Sequence, residues 1–188
     1  MPVSEIRLDL TKSALRSNIF GQVVMLLAEE ERMRPAQVMR DASTPKTARL
    51  STLDDVERAI GISVASPYAK EQARGIYRTL AEAEAEVHGC APEDVHFHEV
   101  GLGVTLRQIL AICTGIEIAA PLRIVATPVQ VGSGTVETEH GTLQVPAPAT
   151  AAILQKYDIP IAEPRLEGEL CTPTSAALIA HFVTEFEQ

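Results

Sequence analysis

Between Ser66 and Gly89 the apolar residues Ile76, Leu80, Ala83 and Val87 recur at intervals of four, three and four, the spacing of one helical face. Glu71, Arg78, Glu82 and Glu86 fall on the opposite face. Ser66 suits an N-cap and Pro67 the first helical position, where its missing N–H costs nothing; Gly89 suits a left-handed C-cap. The same periodicity predicts a helix in residues 15–32 through Ile19, Val23, Leu26 and Leu27, and a buried one over 104–118 through Leu106, Ile109, Leu110 and Cys113. A shorter helix runs through Leu53, Val56 and Ile60, opened by a Ser51/Asp54 capping box and closed at Gly61. Between them ASTPKTARLS, residues 42–51, reads as a turn-rich exposed stretch.

Alternation and β-branched residues mark the strands. VHFHEV reads as one strand, LRIVATPVQV (122–131) is β-rich, and TVETEHGTLQV (135–145) reads as a hairpin turning at His140-Gly141. PAPATAAILQKY starts a helix with its prolines confined to the beginning. ELCTPTSAALIAHFV is a strand end running into a last helix, with Thr172 as N-cap and Pro173 at the first position. This order predicts a mixed α/β fold: a layered domain of helices packed on a mixed sheet over residues 63–188, preceded by a helical N-terminal segment over 1–62.

Composition narrows the function. Of 188 residues, 46% are hydrophobic, enough for a core, but without Trp and with four Phe that core is aliphatic. Aromatic platforms for bases are therefore scarce, and a net charge of −9 provides no basic footprint, so nucleic acid is excluded as a partner. An acidic surface is also repelled by anionic membranes, and no apolar run approaches the ~20 residues of a bilayer span. Three cysteines without a CxxC spacing, and an N-terminus without a signal-peptide core, predict reduced thiols in a cytoplasmic protein.

The densest chemistry is VHFHEVG, residues 95–101. On a strand His96 and His98 share one face, about 7 Å apart at ~3.3 Å per residue, and could share a metal or flank a substrate; Phe97 and Glu99 face the other way. The competing reading is one core histidine and one at the rim. Two ligands do not complete a transition-metal site; His140, Glu139, Glu169 and Cys171 are the available additions. The loop Gly132-Ser133-Gly134 allows backbone N–H groups to face a phosphate, although the same residues serve as hairpin punctuation. At the start of the last helix, Thr172, Thr174 and Ser175 add hydroxyls to a helix N-terminus suited to anions, whereas capping alone needs only Thr172. Upstream, Glu167 and Glu169 could hold Mg²⁺ beside a phosphate or form a solvated acidic face.

Taken together, EDVHFHEVG, VATPVQVGSGTVETEHGTLQVPAPATAAIL and LEGELCTPTSAALIA, with LAEAEAEVHG before them, resemble the LarC-type nickel insertion proteins in order and spacing, and weaker similarity reaches back to about Arg49. The resemblance implies insertion of nickel into a pyridinium bisthiocarboxylate mononucleotide. This is a lyase- or chelatase-type cyclometallation that consumes CTP with Mg²⁺ or Mn²⁺. It makes His96, His98 and Glu99 candidate catalytic residues, and His96, His98, His140 and Glu169 candidate nickel ligands. Gly132, Ser133, Gly134, Thr172, Thr174 and Ser175 become candidate nucleotide contacts. The chain departs from the family at three places. MPVSEIRLDLTKSALRS stands where an opening of the form FDCFSGISGDM is expected, Val104 and Gln108 stand at two aspartate positions, and a further C-terminal domain of the family does not follow. The alternative is thus a non-catalytic homologue that binds nucleotide, metal or a protein partner without turnover. The implied partners are the nucleotide-bearing precursor and either a homo-oligomer or a subunit that supplies the remaining family regions.

Overall fold

The computed structural model describes residues 4–11, 50–97, 103–138, 141–163 and 166–187. The helix predicted over 15–32 and most of the 42–51 stretch lie outside them. Among the described residues the strands are β1 (Glu5–Leu8), β2 (Arg123–Ala126), β3 (Gly132–Ser133), β4 (Thr135–Thr138), β5 (Gly141–Gln144), β6 (Gly168–Glu169) and β7 (Glu185–Phe186). The helices are α1 (Leu53–Ile62), α2 (Pro67–His88), α3 (Gly103–Ala119), α4 (Pro148–Lys156) and α5 (Pro173–Phe182). The mixed α/β architecture is as the sequence predicts.

Helix α2 is the hub, packing against α1, α3, α4 and α5. Ser66 caps it by accepting from Ala69 N–H at 3.0 Å, Pro67 opens it, and Gly89 closes it at φ 66°. Ile76, Tyr77 and Leu80 are fully buried, so truncating either aliphatic side chain to alanine would cost about 2–5 kcal/mol. The predicted charged face is exposed, but Val87 is too; the apolar stripe ends at Ala83 and Ala85 because the chain leaves the core in the last turn. α1 is capped one residue later than predicted. Thr52 Oγ1 accepts from Asp55 N–H, and Asp55 Oδ2 accepts from the Ser51 and Thr52 N–H groups, all at 3.2 Å. Asp54 instead pairs with Arg58 one turn on. The helix also runs one residue past Gly61, to Ile62.

β1, β2 and β7 form a parallel sheet in that order, with Ile6 opposite Ile124 and Ala126 opposite Phe186. Ile6, Leu8, Ile124 and Ala126 join the helices in one core. The other face carries charge: Arg123 bridges Glu5 and Glu185, and Arg7 meets Glu187 at 2.8 Å. The exposed pairs, Arg123–Glu185 and Arg7–Glu187, contribute at most about 1 kcal/mol each. Residues 5–8 are therefore a strand of the main sheet, inside the segment that the sequence reads as short helices joined by polar linkers. The charged alternation of EIRL hides a strand with a single buried face.

The stretch 95–97 departs from expectation as well. Residues 92–94 form one 3-10 turn, and Val95–Phe97 continue outside any strand. Alternation still governs their burial: Val95 and Phe97 are buried and His96 is exposed. Phe97 N–H donates to Ser51 O at 2.8 Å, and its ring meets Tyr77 edge-on at 5.8 Å. The hairpin forms as β4 and β5, with Thr138 opposite Gly141; Gly141 opens the second strand rather than closing the turn.

Candidate functional site: a junction of two helix starts and a glycine ladder

The second and third sequence motifs meet in space. β3 and β6 pair antiparallel, setting Gly132 against Glu169 and Ser133 against Gly168. This pairing demands glycine. At Gly132, φ is +90°, and a Cβ there would stand 1.9 Å from Gly168 O. Gln130, buried in an otherwise apolar run, braces the ladder from behind. Its amide nitrogen donates to Glu163 O at 3.0 Å and its oxygen accepts from Gly132 N–H at 3.2 Å. Leu170 N–H then donates to Val131 O at 3.1 Å, and Val145 N–H donates to Gly134 O at 3.0 Å.

These bonds hold the starts of α4 and α5 beside one another. Thr150, in the first turn of α4 and fully buried, donates its hydroxyl to Cys171 O at 3.4 Å, one residue before the N-cap of α5. α4 begins at Ala147-Pro148 without a side-chain cap, and neither helix has an acid in its first turn. Each N-terminus carries roughly half a positive charge and unpaired N–H groups. Two such ends side by side, next to a glycine loop, suit an anion.

The hydroxyls of the TPTS segment do not fan around that end. Thr172 Oγ1 accepts from Ser175 N–H at 3.3 Å and lies 3.1 Å from Ser175 Oγ; Thr174 and Ser175 are buried. Ser133 Oγ donates to Leu166 O at 3.0 Å. What the junction offers an anion is therefore mainly backbone N–H and dipole. Glu169 is half-buried and Glu167 exposed. The Cys171 thiol is pushed up to about 12, chiefly by burial and then by the Glu169 charge, which leaves it protonated and a poor metal ligand at neutral pH.

His96 is exposed, and the anchors of its stretch run to Ser51 and Tyr77. His98, Glu99, Glu139 and His140 lie outside the described residues. Among the described residues no group of three His, Cys, Asp or Glu side chains is placed to hold a metal ion. Sequence reasoning passed over Gln130, Thr150 and the uncapped start of α4. The available signal was a lone amide inside VATPVQVG and a threonine directly after the PAP turn.

Fold and junction thus define a mixed α/β domain in which a short glycine-bearing strand pair and the Thr150–Cys171 bond set two helix starts beside one another. The chain belongs to the family described as nickel insertion protein, whose model matches residues 2–188 and so takes in the N-terminal segment that the motifs alone did not reach. It is 40% identical over 134 residues to the pyridinium-3,5-bisthiocarboxylic acid mononucleotide nickel insertion protein of Desulfitobacterium hafniense (strain DSM 10664 / DCB-2), covering 71% of this chain and 33% of that protein. The protein of the same name from Clostridium kluyveri is 42% identical over 134 residues, with the same coverage. That of Thermotoga petrophila is 44% identical over 118 residues, covering 63% of this chain and 30% of its own length. The matched part spans about a third of these relatives. No solved structure matches the chain. No described helix is long and apolar enough to cross a membrane.

Proposed function

We propose that this chain takes part in inserting nickel into a pyridinium bisthiocarboxylate mononucleotide, with nickel as the metal substrate and CTP with Mg²⁺ or Mn²⁺ as co-substrate. The observation that carries the reading is the junction itself: in a chain of this family, the glycine ladder and two acid-free helix starts form a place for a nucleotide phosphate. In this reading the phosphate lies against Gly132–Gly134 and the first turns of α4 and α5, where Thr172, Thr174 and Ser175 shape the helix end. His96 and His98, with Glu99, His140 and Glu169, receive the metal. Neutral imidazole is a good nickel ligand. The protein acts in the cytoplasm, alone as a homo-oligomer or with a subunit that supplies the remaining length of its relatives.

Calorimetric titration of nickel into the folded chain, with and without CTP and Mg²⁺, tests this. Saturable nickel binding that tightens with nucleotide is expected; a folded chain that takes up none of these ligands would overturn it. A second reading is favoured by α3: Val104 is exposed and apolar, and Gln108 is neutral, at the two positions where the resemblance expects aspartates. There the chain binds nucleotide or metal and hands it on without turnover. CTP hydrolysis or transfer by the isolated chain would exclude that reading.

A further inference from the structure

In VATPVQVG, Gln130 alone has a long polar side chain, and it is only 2% exposed, between the buried Val129 and Val131. Its hydrogen bonds run to three different segments. Its backbone N–H donates to Leu10 O at 3.0 Å, its Nε2 donates to Glu163 O at 3.0 Å, and its Oε1 accepts from Gly132 N–H at 3.2 Å. The first bond fixes its place in the fold. Leu8 O accepts from Thr127 N–H at 3.1 Å and Leu10 N–H donates to Thr127 Oγ1 at 2.8 Å, so residues 8–10 and 127–130 run together just past the carboxyl ends of β1 and β2. Ligands of open parallel sheets bind outside the carboxyl ends of the strands. That placement favours a ligand at the glycine ladder independently of the helix starts, and Gln130 ties the ladder to it.

The chemistry of the position is narrow. One end of the side chain must donate to Glu163 O, the other must accept from Gly132 N–H, and the group must stay neutral behind a loop that receives an anion. Methionine has a similar volume and does neither. A carboxylate accepts from Gly132 N–H, but it turns lone pairs toward Glu163 O and adds a negative charge behind the loop. A protonated carboxyl restores both bonds, its O–H donating and its C=O accepting. Burial keeps such a carboxyl protonated to a higher pH than in water.

We propose that Gln130 is the positioning residue of the junction. It touches no ligand. By holding Gly132 N–H and Glu163 O it sets Gly132–Gly134 in the conformation that receives an oxyanion, and Gly132 N–H is committed to Gln130 rather than offered to the ligand. The inference rests on the anion reading of the junction given above. It adds that affinity is set from behind the loop, by a neutral carboxamide.

The test follows the backbone amide resonances of Gly132, Ser133 and Gly134 in the full chain as inorganic sulfate is added. Sulfate keeps its charge over the range in which a buried carboxyl titrates, so each variant is compared with the wild type at the same pH. Gln130→Met should bind sulfate about fivefold more weakly or worse, the factor that one lost backbone hydrogen bond corresponds to. Gln130→Glu should be weakened at least as much at about pH 8 and should recover toward wild-type affinity by about pH 5, as its carboxyl takes up a proton. A brace with a purely structural role gives a different result: Gln130→Met melts at a lower temperature and, while folded, binds sulfate as the wild type does, which overturns the proposal. A Gln130→Glu affinity that keeps a constant ratio to the wild type across the pH range overturns it as well. If the methionine variant does not fold, that ratio decides alone. Wild-type amides that do not respond to sulfate overturn the anion reading of the junction and this inference with it. Wild-type amides that respond, with both variants binding equally well, refute the positioning role alone.

Discussion

Gly132→Ala isolates the contact on which the junction depends. The residue has φ +90°, and occupying such a region with a side chain costs about 1–2 kcal/mol. A Cβ would also stand 1.9 Å from Gly168 O, and 3.1 Å from both Gly168 C and Leu170 Cγ. The carbonyl is backbone and cannot rotate away, so β3 and β6 must separate. That puts at risk the bonds from Gly132 N–H to Gln130 and from Leu170 N–H to Val131, each contributing about 1 kcal/mol. The sum is about 3–4 kcal/mol. Gly134 and Gly168 have φ +85° and +90°, but a Cβ at either meets nothing within 4 Å, so alanine there should cost only the conformational 1–2 kcal/mol or so. Urea unfolding followed by circular dichroism measures all three variants on one scale. Gly132→Ala should exceed the other two by about 2 kcal/mol or more and should weaken nucleotide binding. Equal costs for the three, within about 0.5 kcal/mol, would refute the close approach of the two strands.

Two further predictions concern titrating groups. Cys90 is exposed while Cys113 and Cys171 are buried, with both thiols shifted upward by burial. Iodoacetamide at pH 8 should therefore modify Cys90 alone in the folded protein and all three in urea; mass spectrometry showing Cys171 labelled as fast as Cys90 would contradict the packing at α5. His181 lies with its ring against Gly75 and its Nε2 2.8 Å from Gln72 Oε1, and burial lowers its pKa from the usual 6.5. Its folded pKa is below its unfolded one, so its contribution is full above about pH 6.5 and is lost as pH falls below it. Between pH 7.5 and 5.5 the wild type should lose more stability than His181→Gln, and identical pH slopes would count against burial as the cause.

Periodicity and caps carried much of the fold into the sequence. Ser66-Pro67, Gly89, Thr172-Pro173 and the proline-led start of α4 each satisfy or remove orphan helix N–H or C=O groups, so their chemistry is local and readable. Ser51/Asp54 failed by one position because Thr52/Asp55 offers the same chemistry in the next register. β1 and β7 were not legible: EIRL and EF are short, and their strand character comes from pairing with β2, more than a hundred residues from β1. The motif blocks were visible as sequence, whereas the pairing of Gly132 with Glu169 and the bond from Thr150 to Cys171 depend on contacts no local pattern encodes. Burial of Ser175 was likewise invisible, since a hydroxyl turned inward and one turned outward look alike in TPTS.

The central claim is that nickel and a nucleotide meet on this chain. Anomalous diffraction at the nickel edge, from crystals of the full chain grown with nickel, CTP and Mg²⁺, tests it most directly. The account predicts a nickel peak shared by His96 and His98, with phosphate density against Gly132–Gly134 and the starts of α4 and α5. Well-ordered histidines without a nickel peak, or a nucleotide bound away from that junction, would contradict it.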